Sequence, residues 1–189
     1  GGFNGGKVID GMVGHIDLFP TICDLLGIDP PERLQGTSFM PLVRGEKEEV
    51  NDQIFTEVSY HASYEPMRSV RTQRYKYIKR YDGRTSPVLP NCDDGLSKDV
   101  WMEAGWKDIA PDEEMLFDLI FDPNEANNLI DNPKYADILD DLKARMQKWM
   151  EETEDPLLVD GTVPAPEGAL VTNVDCVSPR EKVEPAAPE

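Results

Sequence analysis

Apolar positions are scattered in short groups until residue 135. There Tyr135, Ile138, Leu139, Leu142, Met146, Trp149 and Met150 fall at i, i+3, i+4, i+7, i+11, i+14 and i+15. This is one stripe of an α-helix, and it predicts a long helix over 133–153. Near the start, Leu18, Ile22, Leu25 and Leu26 keep the same spacing. Asp17 stands where an N-cap is wanted, Pro20 is tolerated in the first turn, and Gly27 supplies the stop. Pro30-Pro31 then forbids continuation. Ser38 to Val43 reads as one more short helical turn before Gly45, and Lys7 to Val13 as extended chain.

Strand signals lie between these helices. Ile54–Val58, Ser69–Thr72, Tyr75–Lys79 and Met115–Ile120 are rich in β-branched and aromatic residues. The middle two are joined through Gln73-Arg74 as a hairpin, and Asp122-Pro123-Asn124-Glu125 closes the last with a turn. Residues 82–112 read as a long loop holding Trp101 and Trp106. Beyond Asp155-Pro156 the period is lost, and 157–189 reads as a Pro-rich wrapping or disordered tail. Short helices, at least four strands and one long helix define an α+β fold, a small antiparallel sheet covered by a long C-terminal helix.

Composition narrows the function. The 189 residues are 39% hydrophobic and 30% charged, a globular composition. No apolar run is long enough to span a bilayer, so no membrane partner is expected. The net charge of −18 repels phosphate backbones and argues against nucleic acid. The charge is uneven: residues 1–110 carry 13 basic and 17 acidic side chains, and residues 111–189 carry 6 and 20. Arg68, Arg71, Arg74, Lys76, Lys79, Arg80 and Arg84 crowd one segment opposed only by Asp82. Such a segment presents either an anion-attracting surface or a solvated hairpin face. Gly1 to Gly6 lacks an initiator Met and a leader, so the chain is expected to begin inside a larger protein.

Candidate chemistry is sparse. Cys23, Cys92 and Cys176 have no metal-ligand spacing. Cys23 reads as a small buried hydrophobe, while Cys92 and Cys176 lie in loop-like sequence where pairing is left open. His15 with Asp17 lacks the further ligands a metal site needs and reads as a helix-start residue. His61 lies in Tyr60-His61-Ala62-Ser63-Tyr64-Glu65-Pro66, a polar connection of the kind that carries binding groups.

Local strings are more specific. Val13-Gly14-His15-Ile16-Asp17-Leu18-Phe19-Pro20-Thr21 with Leu25-Leu26-Gly27-Ile28 is followed by Leu34-Gln35-Gly36-Thr37-Ser38-Phe39-Met40-Pro41-Leu42. Arg71-Thr72-Gln73-Arg74-Tyr75-Lys76-Tyr77-Ile78, Leu116-Phe117-Asp118-Leu119, and Asp122-Pro123-Asn124-Glu125 with Asn127-Asn128-Leu129 come in the same order. Together they resemble the C-terminal half of sulfatases of the alkaline-phosphatase superfamily, from about residue 7 to 158. Tyr64-Glu65-Pro66-Met67-Arg68-Ser69-Val70, with Trp149 and Asp155-Pro156, looks most like the heparan N-sulfatases.

That resemblance implies residues 1–45 as the end of the α/β sulfatase core (alkaline-phosphatase-like fold), 46–156 as the C-terminal subdomain, and 157–189 as its tail. On the absent core, the Leu18, Ile22 and Leu25 face of the first helix would pack, so it is expected to be exposed here. The resemblance also implies sulfate hydrolysis by a formylglycine formed in a Cys/Ser-x-Pro-x-Arg motif, with calcium clamping the sulfate. This chain lacks that motif: Cys176-Val177-Ser178-Pro179-Arg180 has Pro one place late, and Asp93-Asp94 has no partner His. The catalytic residues and calcium ligands are therefore expected in a missing N-terminal portion, and the fragment alone is expected to be inactive. Arg68, His61 and Glu57 are the implied substrate contacts, toward N-sulfated glucosamine of heparan-type glycans. A homodimer is left open, and the compartment implied is periplasmic, secreted or lysosomal. Alternatives are another carbohydrate O-sulfatase, an arylsulfatase, a phosphonate monoester hydrolase, or a non-enzymatic binding module.

Overall fold

A computed structural model describes residues 5–186; the glycine-rich start is outside it up to Asn4. The chain divides into two units, Gly1–Ile54 with Arg71–Arg74, and Phe55–Val70 with Tyr75–Glu189.

The first unit holds α1 (Leu18–Leu26) and α2 (Met40–Arg44). Gly27 ends α1 at φ 67° and Gly45 ends α2 at φ 75°, left-handed positions that favour glycine. Asp17 does not cap α1 through its side chain. It is buried instead, and its carboxylate accepts from three directions: Thr37 N at 2.7 Å, Gly14 N at 2.7 Å and Asn51 Nδ2 at 2.8 Å. Thr21 extends this tie, donating to Asp17 O at 2.6 Å and accepting from Phe39 N at 3.0 Å. The 34–39 segment therefore lies hard against the start of α1. Gly36 makes that approach sterically feasible, since a Cβ there would stand 2.1 Å from Ile16 O. The apolar stripe of α1 faces outward, with Leu18 50%, Ile22 52% and Leu25 37% exposed, as expected from the sequence.

The second unit is built on a mixed sheet-and-helix core. β1 (Ile54–Tyr60), β2 (Tyr64–Arg71), β3 (Tyr75–Arg80) and β4 (Glu114–Asp118) form a sheet in that order. The three-residue connections between β1, β2 and β3 are hairpins, which only antiparallel neighbours allow. β3 and β4 pair antiparallel with Tyr77 opposite Leu116 and Lys79 opposite Glu114. β2 starts five residues earlier than its propensity suggests, because it runs through Pro66. Pro66 O accepts from Tyr81 N at 2.9 Å, one residue past the end of β3. The donor that proline lacks therefore falls beyond the ladder, where no partner strand needs it. At the edge, Asn128 mimics a strand: its Oδ1 accepts from Leu116 N and its Nδ2 donates to Glu114 O, both at 3.0 Å.

A 3₁₀ turn (Pro133–Tyr135) leads into the helix, which runs Ala136–Glu152, shorter than 133–153. It buries Leu142, Met146 and Met150 against Val70, Tyr77 and Leu116. Phe55 and Trp149 stack with centroids 4.9 Å apart. The 82–112 stretch is not all loop: it contains a helix, Leu96–Glu103, here α3, which makes the long helix α4. Its exposed face carries Leu96, Val100 and Trp101 while its buried residue is Lys98, the reverse of the usual amphipathic code. Hydrophobic periodicity is therefore blind to it. The tail is ordered through residue 186, with α5 (Pro156–Val159) and a two-stranded hairpin of β5 (Leu170–Thr172) and β6 (Val183–Pro185).

Gly36→Ala should drive a methyl group into the Ile16 carbonyl and destabilise the protein by about 1–3 kcal/mol, read as a lower urea midpoint. Burial pushes Tyr81 up to about 12, helped by Asp155 and opposed by Arg68. This raised value adds stability that is whole below the ordinary tyrosine value near 10 and is lost as pH rises toward 12. The urea midpoint should therefore fall between pH 10 and 12, and less steeply in Tyr81→Phe.

Candidate functional site

The polar end of the second unit gathers at the β1–β2 turn. Arg68 sits in β2 with 2% of its surface exposed. Its Nε donates to Asp155 Oδ2 at 2.6 Å and its Nη2 to Asp155 Oδ1 at 3.2 Å, a forked charge-assisted pair. Nη1 donates to Val58 O at 3.0 Å, Ser59 Oγ at 3.2 Å and Met67 O at 2.9 Å. Glu57 Oε2 lies 3.4 Å from Nε on a side chain that is 60% exposed. Asp155 is placed by its own helix: as N-cap of α5 ahead of Pro156, its Oδ1 accepts from Leu157 N at 3.0 Å.

Arg68 was expected to reach an anionic sugar; in this structure its side chain is buried. Its guanidinium is committed to a carboxylate 87 residues away in sequence and to β-sheet carbonyls. Pairing over that distance leaves no local signal, although Asp155-Pro156 is legible as a helix start. Glu57 is brought beside Arg68 and stays open to solvent. His61 is exposed in the turn itself, away from the ion pair along β1.

The turn that carries His61 is braced from two sides. Ser63 N donates to Asn91 Oδ1 at 2.7 Å, and Asn91 Nδ2 reaches Glu65 Oε2 at 2.8 Å. From the tail, Thr172 N donates to Ala62 O at 2.7 Å and accepts Ser63 Oγ at its carbonyl at 2.6 Å. Beside this turn lies a cleft of about 530 Å³, lined by Tyr60, Tyr64, Tyr81, Arg84, Val163 and Glu184 among others. Val163 is gripped by two tyrosines, accepting Tyr60 OH at 2.9 Å and donating to Tyr64 OH at 3.0 Å. Hydrogen bonds from Lys182 and Asn173 hold the Glu184 carboxyl below its usual range. The volume is that of a small-ligand site. Its walls come from residues 60–84 and from a tail a hundred residues later, so nothing in the sequence announces it.

The basic segment is not an open anion surface. Lys76 pairs with Glu125 at 2.8 Å, Lys79 with Glu114 at 3.7 Å, Arg80 with Glu65 and Asp82 at 2.8 Å each, and Arg84 with Asp175 at 2.6 Å. The Cys176–Arg180 string is likewise structural: Val177 O accepts from Lys98 and Ser178 Oγ donates to Asp94 at 2.6 Å. Among the described residues no three His, Cys, Asp or Glu side chains converge as a metal site requires. His15 is exposed and Cys23 buried. No helix among the described residues is long and apolar enough to cross a membrane.

Comparison with known proteins agrees with a supporting part of a larger enzyme. A family model described as N-sulphoglucosamine sulphohydrolase, C-terminal, matches residues 1–90. An ulvan-active sulfatase of Formosa agariphila is 30% identical over 190 residues, covering 96% of this chain and 38% of that protein. Human N-sulphoglucosamine sulphohydrolase is 30% identical, covering 87% and 36%. The solved structure of a 2-O glycosaminoglycan sulfatase matches with a TM-score of 0.52 at 30% identity, covering 74% of this chain and 25% of that one. The chain thus spans well under half the length of these relatives. The chain belongs to the sulfatases of the alkaline-phosphatase superfamily and matches their C-terminal portion.

Arg68→Met should strand Asp155 as a buried charge and destabilise the protein by about 3–5 kcal/mol in denaturant titration. Glu57→Gln, at an exposed side chain, should change stability by no more than about 0.5 kcal/mol. A wild-type midpoint for Arg68→Met would return that residue to a solvent-facing role.

Proposed function

We propose that the whole protein hydrolyses the N-linked sulfate of glucosamine in heparan-type glycans, with this chain as the scaffold of one side of the substrate pocket. The observation that carries this reading is the match of residues 1–90 to a family model described by that reaction. The small antiparallel sheet would then follow the tail of the α/β core, with α1 presenting Leu18, Ile22 and Leu25 to that core. Glu57 and His61 are the proposed contacts from this chain, because both are exposed, Glu57 in β1 beside Arg68 and His61 in the braced turn that follows. Arg68 would act as a positioning residue, holding the β1 backbone at Val58 and the Glu57 carboxylate. The nucleophile and the calcium ion are assigned to residues other than these. By the same reasoning the protein would work in a periplasmic, secreted or lysosomal space.

A second reading, an O-sulfatase of another sulfated polysaccharide, is favoured by the ulvan-active relative, whose match extends over 96% of this chain. Sulfate release by the full-length protein discriminates the two. Oligosaccharides ending in N-sulfoglucosamine should be desulfated well ahead of ulvan or 2-O-sulfated uronate substrates; the opposite order would move the assignment to the O-sulfatase. Glu57→Gln and His61→Ala should raise KM by about tenfold for the preferred glycan while leaving the melting temperature in place.

A further inference from the structure

Cys92 and Cys176 stand 84 residues apart in sequence, both as half-buried free thiols in loops. One ammonium group draws their segments together. Lys98, 4% exposed on α3, donates through Nζ to Leu89 O at 3.0 Å, Cys92 O at 2.7 Å and Val177 O at 2.5 Å. Because they share one nitrogen, the carbonyl oxygens of Cys92 and Val177 lie no more than 5.2 Å apart. A second tie follows two residues on, where Ser178 Oγ donates to Asp94 Oδ2 at 2.6 Å. Residues 92–94 and 176–178 therefore lie side by side, joined at two points. Cys92 Sγ is held only by a long contact, 3.8 Å to Asp93 O, so its thiol is free to turn.

We propose that Cys92 and Cys176 form a disulfide that staples the tail hairpin to the loop before α3. A disulfide needs Cα atoms roughly 4.4–6.8 Å apart, so closing the bond requires these two tied loops to bring the cysteines to that separation. Cys176 lies between β5 and β6, whose residues Val171 and Glu184 line the tyrosine cleft. The bond would fix one wall of that cleft. Cys23 takes no part, being buried on α1 in the first unit.

The oxidant is a low-molecular-weight disulfide of the glutathione type. The thiolate of one cysteine attacks a sulfur of that disulfide, releasing one small thiolate and leaving a mixed disulfide. The thiolate of the second cysteine then attacks the protein-bound sulfur and releases the other. Two S–H bonds are lost, one S–S bond forms in the protein, and the two electrons leave as two reduced small thiols. Such a bond persists in an oxidising compartment and is absent from a reducing one.

Peptide mapping of the full-length protein, equilibrated in a glutathione redox buffer and then alkylated, tests this. The expected result is a linked pair of peptides containing Cys92 and Cys176, with Cys23 alkylated only after denaturation. Tryptic cleavage after Arg180 and Lys182 should be several-fold slower in the oxidised than in the reduced protein. Cys92→Ser and Cys176→Ser should each abolish both the linked pair and the protection, whereas Cys23→Ser should keep them. Glutathione carried separately on both cysteines, a link from either to another cysteine, or two thiols that stay alkylatable under oxidising conditions would overturn the proposal.

Discussion

The second unit depends on the buried pair between Arg68 and Asp155. Burial of Leu142, Met146 and Met150 against Val70, Tyr77 and Leu116 supplies most of the energy that holds the long helix to the sheet. That attraction has no direction, and an apolar stripe tolerates sliding and rotation. The guanidinium fork does not. It fixes where the chain leaves the helix relative to the middle of β2, and Asp155 at once starts α5 by capping Leu157 N. Packing thus provides the stability and one ion pair the alignment. The same fork gathers Val58 O and Ser59, so the polar end of β1 is set by the same interaction.

Charge is organised in the same spirit. A chain of net charge −18 crowds seven of its 19 basic residues into one segment, and the fold brings acids to several of them from the edge strand, the 122–125 turn and the tail. The cations are used for cohesion. An anionic glycan would meet a surface of unfavourable sign, with attraction or repulsion screened beyond about 8 Å at physiological salt. On the reading proposed above, recognition of the sulfate group therefore falls to cations outside this chain. What this chain offers is an exposed Glu57 on β1, an exposed His61 in the braced turn, and a cleft walled by tyrosines. Lys98 repeats the pattern on a smaller scale, its ammonium spanning three carbonyls to join two distant loops.

The first unit leaves one apolar face uncovered. Its buried residues include Met12, Cys23, Met40, Leu42 and Val43 together with a polar tie, an aspartate accepting from Gly14, Thr37 and Asn51, while the apolar stripe of α1 faces away. Gly36 belongs to that tie because only a residue without Cβ lets the 34–39 segment touch Ile16. A unit built this way holds its own loops by hydrogen bonds and leaves the α1 stripe open.

By itself the sequence determined the elements whose signals are local. The periods of α1 and α4, the glycine stops at Gly27 and Gly45, the strand runs, and the outward stripe of Leu18, Ile22 and Leu25 were all readable, as was the resemblance to sulfatases. Its errors share one cause. β2 passes through Pro66 because the neighbouring strand has already ended there, and α3 packs through a lysine that finds its carbonyls 6 to 79 residues away. For Arg68 a ligand contact and a structural salt bridge were both readable, but nothing near it in the chain names Asp155 as the partner. Helical period, capping and turn chemistry act over a few residues and are written in the order of amino acids. The partner of a buried charge, the end of an adjacent strand and the second wall of a cleft are set by residues that meet only when the chain has folded, so the tertiary structure alone decided them.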